Sequence, residues 1–216
     1  MSASVMVYKY LKAHHAIDLT EQGKLRVGTL GDFRSNKTLD PAIRDANEGL
    51  RVSYVDPDTF DLRKPDEVPA IVKELIKVPP EGVGIVFKDI GFQVEVESPD
   101  YYIYSVSTEC SSGLMKRLQY DACVAIRDPQ EFFQSLTNQL VREWGVLQAW
   151  FEPCIYASRR QHHLAEPAGH PALLKDPSDQ QNREVRGLWK PSKVPIHPVV
   201  LTIPELTKYC EVIVPR

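Results

Sequence analysis

The chain has 216 residues, 43% of them hydrophobic and 25% charged, with a formal net charge of −3. That length is enough for one domain spanning residues 1–216 with a sizeable core, and the composition is that of an ordinary globular protein. The slightly acidic balance excludes a global basic field for gripping a nucleic-acid backbone, and no apolar run approaches the roughly 20 residues needed to cross a bilayer. The start of the chain lacks a signal peptide's basic and apolar regions, so a cytoplasmic location is expected. Four widely spaced cysteines (Cys110, Cys123, Cys154, Cys210) and two adjacent histidine pairs do not form metal-ligand spacing, so no metal site is expected. In a cytoplasmic chain the cysteines are expected as thiols.

The first strand runs from Val5 to Leu11 and sets Lys9 between Tyr8 and Tyr10. Ala13, Ala16, Ile17 and Thr20 share one face at helical spacing, and Gly23 suits the left-handed position that ends a helix. Leu25 and Val27 alternate with Lys24 and Arg26 as in a half-buried strand. A polar loop follows from about residue 31 to 49, carrying Asp32, Arg34, Arg44, Asp45 and Glu48, most of them expected to be solvated. Leu50–Val55 reads as a strand, and the prolines and aspartates of 56–69 as a loop. A short helix is expected from Ala70 to Lys77, stopped by Pro79 and Pro80. Gly84–Phe87 is a short apolar strand, and Phe92, Val94 and Val96 alternate with polar residues in another. Tyr101–Ser107 continues that rhythm closely enough to predict antiparallel pairing between the last two.

Asp121–Ile126 reads as a buried strand, which would make Cys123 a poor thiolate. The strongest helix start follows: Asp128 as N-cap, Pro129 at the first helical position and Glu131 three residues past the cap. Phe133, Leu136, Leu140 and Trp144 form its expected buried stripe. Residues 158–183 are polar and read as a long surface loop of the kind that often carries function. Strands are expected at Arg183–Trp189, Val199–Leu201 and Glu211–Val214, with a short helix from Pro204. These elements do not repeat a βαβ unit, so the fold class is α+β with a mixed, mostly antiparallel sheet and a few peripheral helices.

Three clusters have chemical potential. Lys9 can neutralise a phosphate, and Tyr10 can stack on a base or ribose. Ser105 and Ser107 share one strand face and can orient a ribose hydroxyl. Glu184, between Asn182 and Arg186 on an extended face, can stabilise a cationic transition state or act as a base. Each cluster also has a plain structural reading: a solvated edge lysine, capping serines, a salt-bridged surface strand. The nucleophile elbow Gly-x-Ser-x-Gly and the phosphate-binding loop Gly-x-x-x-x-Gly-Lys are absent.

In combination, the opening from Val7 to Gly28 resembles the first strand–helix–glycine–strand unit of the ADP-ribosyltransferase-like superfamily. The chain is also similar to a poorly characterised bacterial and phage family that opens aromatic–basic–aromatic, continues to an acidic Asp-x-x-Glu-Gly loop and later carries a Glu-x-Arg strand. Here those strings are Asp45-Ala46-Asn47-Glu48-Gly49 and Arg183-Glu184-Val185-Arg186. The resemblance implies a split sheet and NAD as substrate, with Lys9, Tyr10, Ser105 and Ser107 binding it and Glu184 catalytic. It further implies a protein or nucleic acid as acceptor. Lys9 stands where the superfamily has His or Arg, and Asn182 departs from the Gln or Glu usual two residues before the catalytic glutamate. A non-catalytic nucleotide- or protein-binding module of phage or bacterial defence is the alternative. A metal-dependent nuclease built on the acidic loop is a third reading.

Overall fold

The computed structural model describes residues 6–35, 45–166 and 168–215. Val5 and Arg44, named above, lie outside them. The first elements follow the reading closely: β1 (Val7–Leu11), α1 (Ala13–Gln22) and β2 (Lys24–Thr29). Gly23 ends α1 in the left-handed region, at φ 65°, where a side chain would also run into the Ile203 carbonyl. The buried face of α1 is Ala16 and Leu19 rather than Ala16 and Ile17, because the helix packs on the turn near Leu206 and leaves Ile17 49% exposed.

Next come α2 (Leu30–Ser35), β3 (Leu50–Asp61), α3 (Ala70–Ile76), β4 (Val86–Glu97) and β5 (Tyr102–Ser107). Three sequence expectations change here. β3 runs on through Pro57 to Asp61, where a loop is expected. β4 is one continuous strand. It pairs antiparallel with β3 (Val55 opposite Phe92, Arg51 opposite Val96), not with β5. The reason is packing: Val55, Phe60, Leu62, Val68 and Val72 build a small core of their own under α3, and Phe87 and Phe92 of β4 close over it. β5 leaves this module for the main sheet.

The remainder comprises α4 (Ser112–Arg117), β6 (Ala122–Ile126), α5 (Pro129–Trp144), β7 (Val146–Pro153), β8 (Ile155–Tyr156), β9 (Arg160–His162), β10 (Leu174–Lys175), β11 (Glu184–Pro191), β12 (Val199–Thr202) and β13 (Cys210–Ile213). Asp128 caps α5 by accepting from the Glu131 amide. Phe132, Phe133, Leu136 and Leu140 are buried against Tyr102, Tyr104, Val106 and Trp189 of the sheet. Trp144 is instead 45% exposed, because the helix ends there at Gly145 and the chain turns away.

The main sheet has eight strands, all antiparallel to their neighbours: β12–β2–β5–β1–β6–β13, with β11 on β5 and β7 on β11. The fold is therefore α+β, mostly antiparallel, with few helices. β11 lies along the whole of one edge of β5, from Glu184 opposite Ser107 to Trp189 opposite Tyr102. The other edge of β5 is shared. β2 takes its start (Gly28 opposite Ile103, Thr29 opposite Tyr102) and β1 takes its end (Tyr8 opposite Ser107). Between those pairs the sheet forks. No helix among the described residues is long and apolar enough to cross a membrane.

Candidate functional site

The fork opens into a cleft of about 1040 Å³. Its walls include β1, β2, the turn 45–48, the start of β11 and the β10 segment, represented by Lys9, Arg26, Glu48, Glu184, Arg186 and Lys175. Lys9 sits in the middle of β1, not at its end, where the strand has parted from β5. Its ammonium donates to the Ser105 carbonyl at 2.7 Å and lies 4.4 Å from the centre of the Tyr104 ring. A side-chain donor thus fills the place left by the missing ladder partner. Burial pushes the Lys9 pKa down to about 8, against the pull of the Glu184 carboxylate, with Arg26 adding to the depression.

Glu184, on β11, lines the same cleft. Its carboxylate accepts from Arg186 Nε at 2.6 Å, and the Ser105 hydroxyl helps to lower its pKa. Burial opposes its ionisation, but the charges of Arg186 and Lys175 outweigh burial and hold its carboxyl below the ordinary value. Lys9, Ser105 and Glu184, 175 residues apart at the extremes, therefore meet in one cleft. Tyr10 and Ser107 border it but are committed to scaffolding. The Tyr10 hydroxyl donates to the Glu109 carbonyl at 2.6 Å and accepts from the Ser111 amide at 2.8 Å. The Ser107 hydroxyl donates to the Asn182 carbonyl at 2.7 Å and accepts from the Glu109 amide at 3.0 Å. Tyr10 pins the turn after β5 to β1, and Ser107 pins it to the chain just before Glu184.

The residues that sequence reasoning underrated are the partners of Glu184. Glu48 is 2% exposed, not solvated. It receives both arms of the Arg186 guanidinium, at 2.6 and 3.0 Å, and Lys175 Nζ at 2.9 Å. Burial would raise its pKa, yet Arg186 and Lys175 bring it down to about 2. Asp45, three residues earlier, pairs with Arg159 at 2.5 and 3.0 Å and with Lys175 at 3.3 Å. The segment 158–183 is thus no free flap. It carries the short strands β9 and β10 and delivers Arg159 and Lys175 to the cleft floor. The sequence signal was present in the string Asp45-x-x-Glu48-Gly49. What hid it was the habit of reading charged loop residues as wet. Elsewhere in that loop, Asp32 lies on α2 and pairs with Arg26 at 2.5 Å, and Arg34 pairs with Glu97.

Chemically, the cleft holds an ionised carboxylate, the Ser105 hydroxyl, and an amine with two N–H groups beyond the one given to the Ser105 carbonyl. An ionised, buried carboxylate can stabilise a developing cation or accept a proton; it is not an acid at neutral pH. Among the described residues no three His, Cys, Asp or Glu side chains gather as a metal site. No family model matches the chain, and no curated protein or solved structure does.

Proposed function

We propose that the cleft binds a nucleotide of the NAD type and that the chain transfers its ADP-ribose to a macromolecular acceptor, a protein or a nucleic acid. The observation that carries this reading is the convergence of Lys9, Ser105 and the ionised Glu184 at the fork of one sheet. A volume of about 1040 Å³ is ample for a dinucleotide, since ligand sites commonly span roughly 300–1,000 Å³. In this reading the Lys9 ammonium faces the phosphates and the Ser105 hydroxyl orients a ribose. The bond from the ribose C1′ to nicotinamide breaks, and nicotinamide leaves with the electron pair. The Glu184 carboxylate stabilises the positive charge that develops on the ribosyl carbon before the acceptor's nucleophile closes on it and gives up its proton to water. Tyr10 contributes as a wall and as the anchor of β1 rather than through its hydroxyl, which is already occupied.

The test is titration calorimetry with NAD and ADP-ribose, together with assay of nicotinamide release, on the wild type and a Glu184→Gln variant. Binding is expected in both, with turnover falling about 10²–10³-fold in the variant, the usual scale for a lost electrostatic stabiliser. Full turnover by Glu184→Gln would sink the assignment of Glu184. A second reading, a non-catalytic nucleotide-binding module, is favoured by one observation: the Glu184 carboxylate is already engaged by Arg186. It predicts NAD binding with no nicotinamide release by the wild type.

A further inference from the structure

We propose that Lys9 is a nucleophilic amine that condenses with the aldehyde of a small anionic ligand in the cleft, such as an open-chain sugar phosphate, to form an imine. The inference goes beyond the reading above and holds whether or not the cleft takes NAD. The fold treats the lysines that line the cleft differently. Lys12 is exposed, and Lys24 pairs with Asp18 at 3.1 Å. Lys175 is buried, with Glu48 at 2.9 Å and Asp45 at 3.3 Å to balance its charge. Lys9 makes no ion pair among the described residues. Its Nζ donates to the Ser105 carbonyl at 2.7 Å and lies over the Tyr104 ring. The carboxylates of Asp45, Glu48 and Glu184 are each held by an arginine instead. An ammonium withdrawn from water without a counter-ion is costly, whereas a neutral amine keeps the bond to Ser105 and frees its lone pair.

The pKa shifts agree with this placement. Burial brings Lys9 down to about 8, with Glu184 on β11 pulling the other way and Arg26 on β2 adding to the fall. Burial also works against the charge on Lys175, but the carboxylates around it hold its pKa above the ordinary value. At pH 7 about a tenth of Lys9 is therefore the free amine, roughly 300-fold more than for an ordinary lysine. The charged majority remains available to a phosphate. In the reaction the Nζ lone pair attacks the carbonyl carbon and a C–N bond forms. The carbonyl π pair moves to oxygen, which takes up a proton as the nitrogen gives one up. The resulting hydroxyl then leaves with the second amine proton as water, and the C=N bond is complete. Amine and aldehyde enter, imine and water result, and nothing is oxidised or reduced. Glu184, whose charge acts on Lys9, favours the protonated iminium. Lys12, His15, Lys24 and Arg26 line the cleft beside β1 against the single carboxylate of Asp18, which suits a ligand that carries a phosphate.

The experiment incubates the full chain with glycolaldehyde phosphate or with uncharged glycolaldehyde, traps the iminium with sodium cyanoborohydride, and locates the modified lysines by peptide fragmentation. At pH 7 Lys9 is expected to be labelled at least about 10-fold faster than the exposed Lys190 and Lys193, and Lys175 to stay unlabelled. The Lys9 rate should level off above pH 8, while that of Lys190 climbs on to pH 10. The phosphate-bearing probe should react faster at Lys9 than the uncharged one. Labelling of Lys9 no faster than Lys190 at pH 7, or with the same pH dependence, overturns the proposal. Equal rates with the two probes overturn its anionic ligand. A Lys9→Met variant should lose the fast phase, and the wild-type map decides the matter even if that variant fails to fold. No NAD enters the measurement, so its failure and a failure of the NAD reading are seen separately.

Discussion

At the scale of single residues, Glu48 is the hinge of the charge network, since Arg186 and Lys175 both depend on it. Glu48→Ala leaves Arg186 buried beside Glu184 alone, and chemical denaturation should show a loss of about 3–5 kcal/mol, typical of one partner removed from a buried pair. The same group sets an acid limit. Its folded pKa of about 2 lies below the ordinary 4.5, so its contribution is complete above pH 4.5 and disappears as pH falls to about 2. That gap corresponds to about 3 kcal/mol. A Glu48→Gln variant should therefore show less acid loss than the wild type across that window in urea titrations. Lys9 gives a slope of the same sign at alkaline pH, but there it is the neutral form that folding favours. Its folded pKa of about 8 is below the ordinary 10.5, so the unfolded chain binds the proton more tightly and wild-type stability rises between pH 8 and 10.5. Lys9→Met lacks this rise, and the difference between the two, followed by urea unfolding from pH 7 to 10.5, should narrow or reverse accordingly.

At the scale of elements, local chemistry was legible and partnership was not. Asp128, Pro129 and Glu131 announced α5 because a cap acts within one turn of its own helix. The alternation of β11 was equally plain, and with it the shared face of Glu184 and Arg186. The pairing of β4 with β3 was opaque, because a run of Asp56, Pro57 and Asp58 reads as a loop unless a separate core at Phe60 and Val72 holds it in a ladder. The acidic turn was opaque for a related reason. Only when β10 and β11 are in place do Lys175 and Arg186 surround Glu48, and neither is near it in sequence. Lys9, Ser105 and Glu184 could be chosen from the sequence as residue types on strands; that they meet depends on the fork. On β11, Gly187 lies where a side chain would run into the Trp189 and Phe133 rings. Gly187→Ala should cost about 1–3 kcal/mol by thermal or denaturant unfolding, the usual range for overpacking.

At the scale of the molecule, the chain places its main core and its cleft on the two sides of one strand. Tyr102, Tyr104 and Val106 anchor the face under α5, while Ser105 and Ser107 look the other way, toward Glu184 and its neighbours. An ordinary strand has two ladder neighbours. β5 has three, since β11 fills one edge and β1 and β2 divide the other. The consequence is a matter of mutational tolerance. A change on β5 disturbs three interfaces, and one that bends it alters both the width of the fork and the packing beneath. In a saturation scan scored by folded yield, β5 should be the least permissive strand. β4, exposed along most of its length and paired on one side only, should accept substitutions freely. A lineage carrying this fold could remodel its outer module at little cost in stability, while any change of ligand would have to come from the strands that border β5.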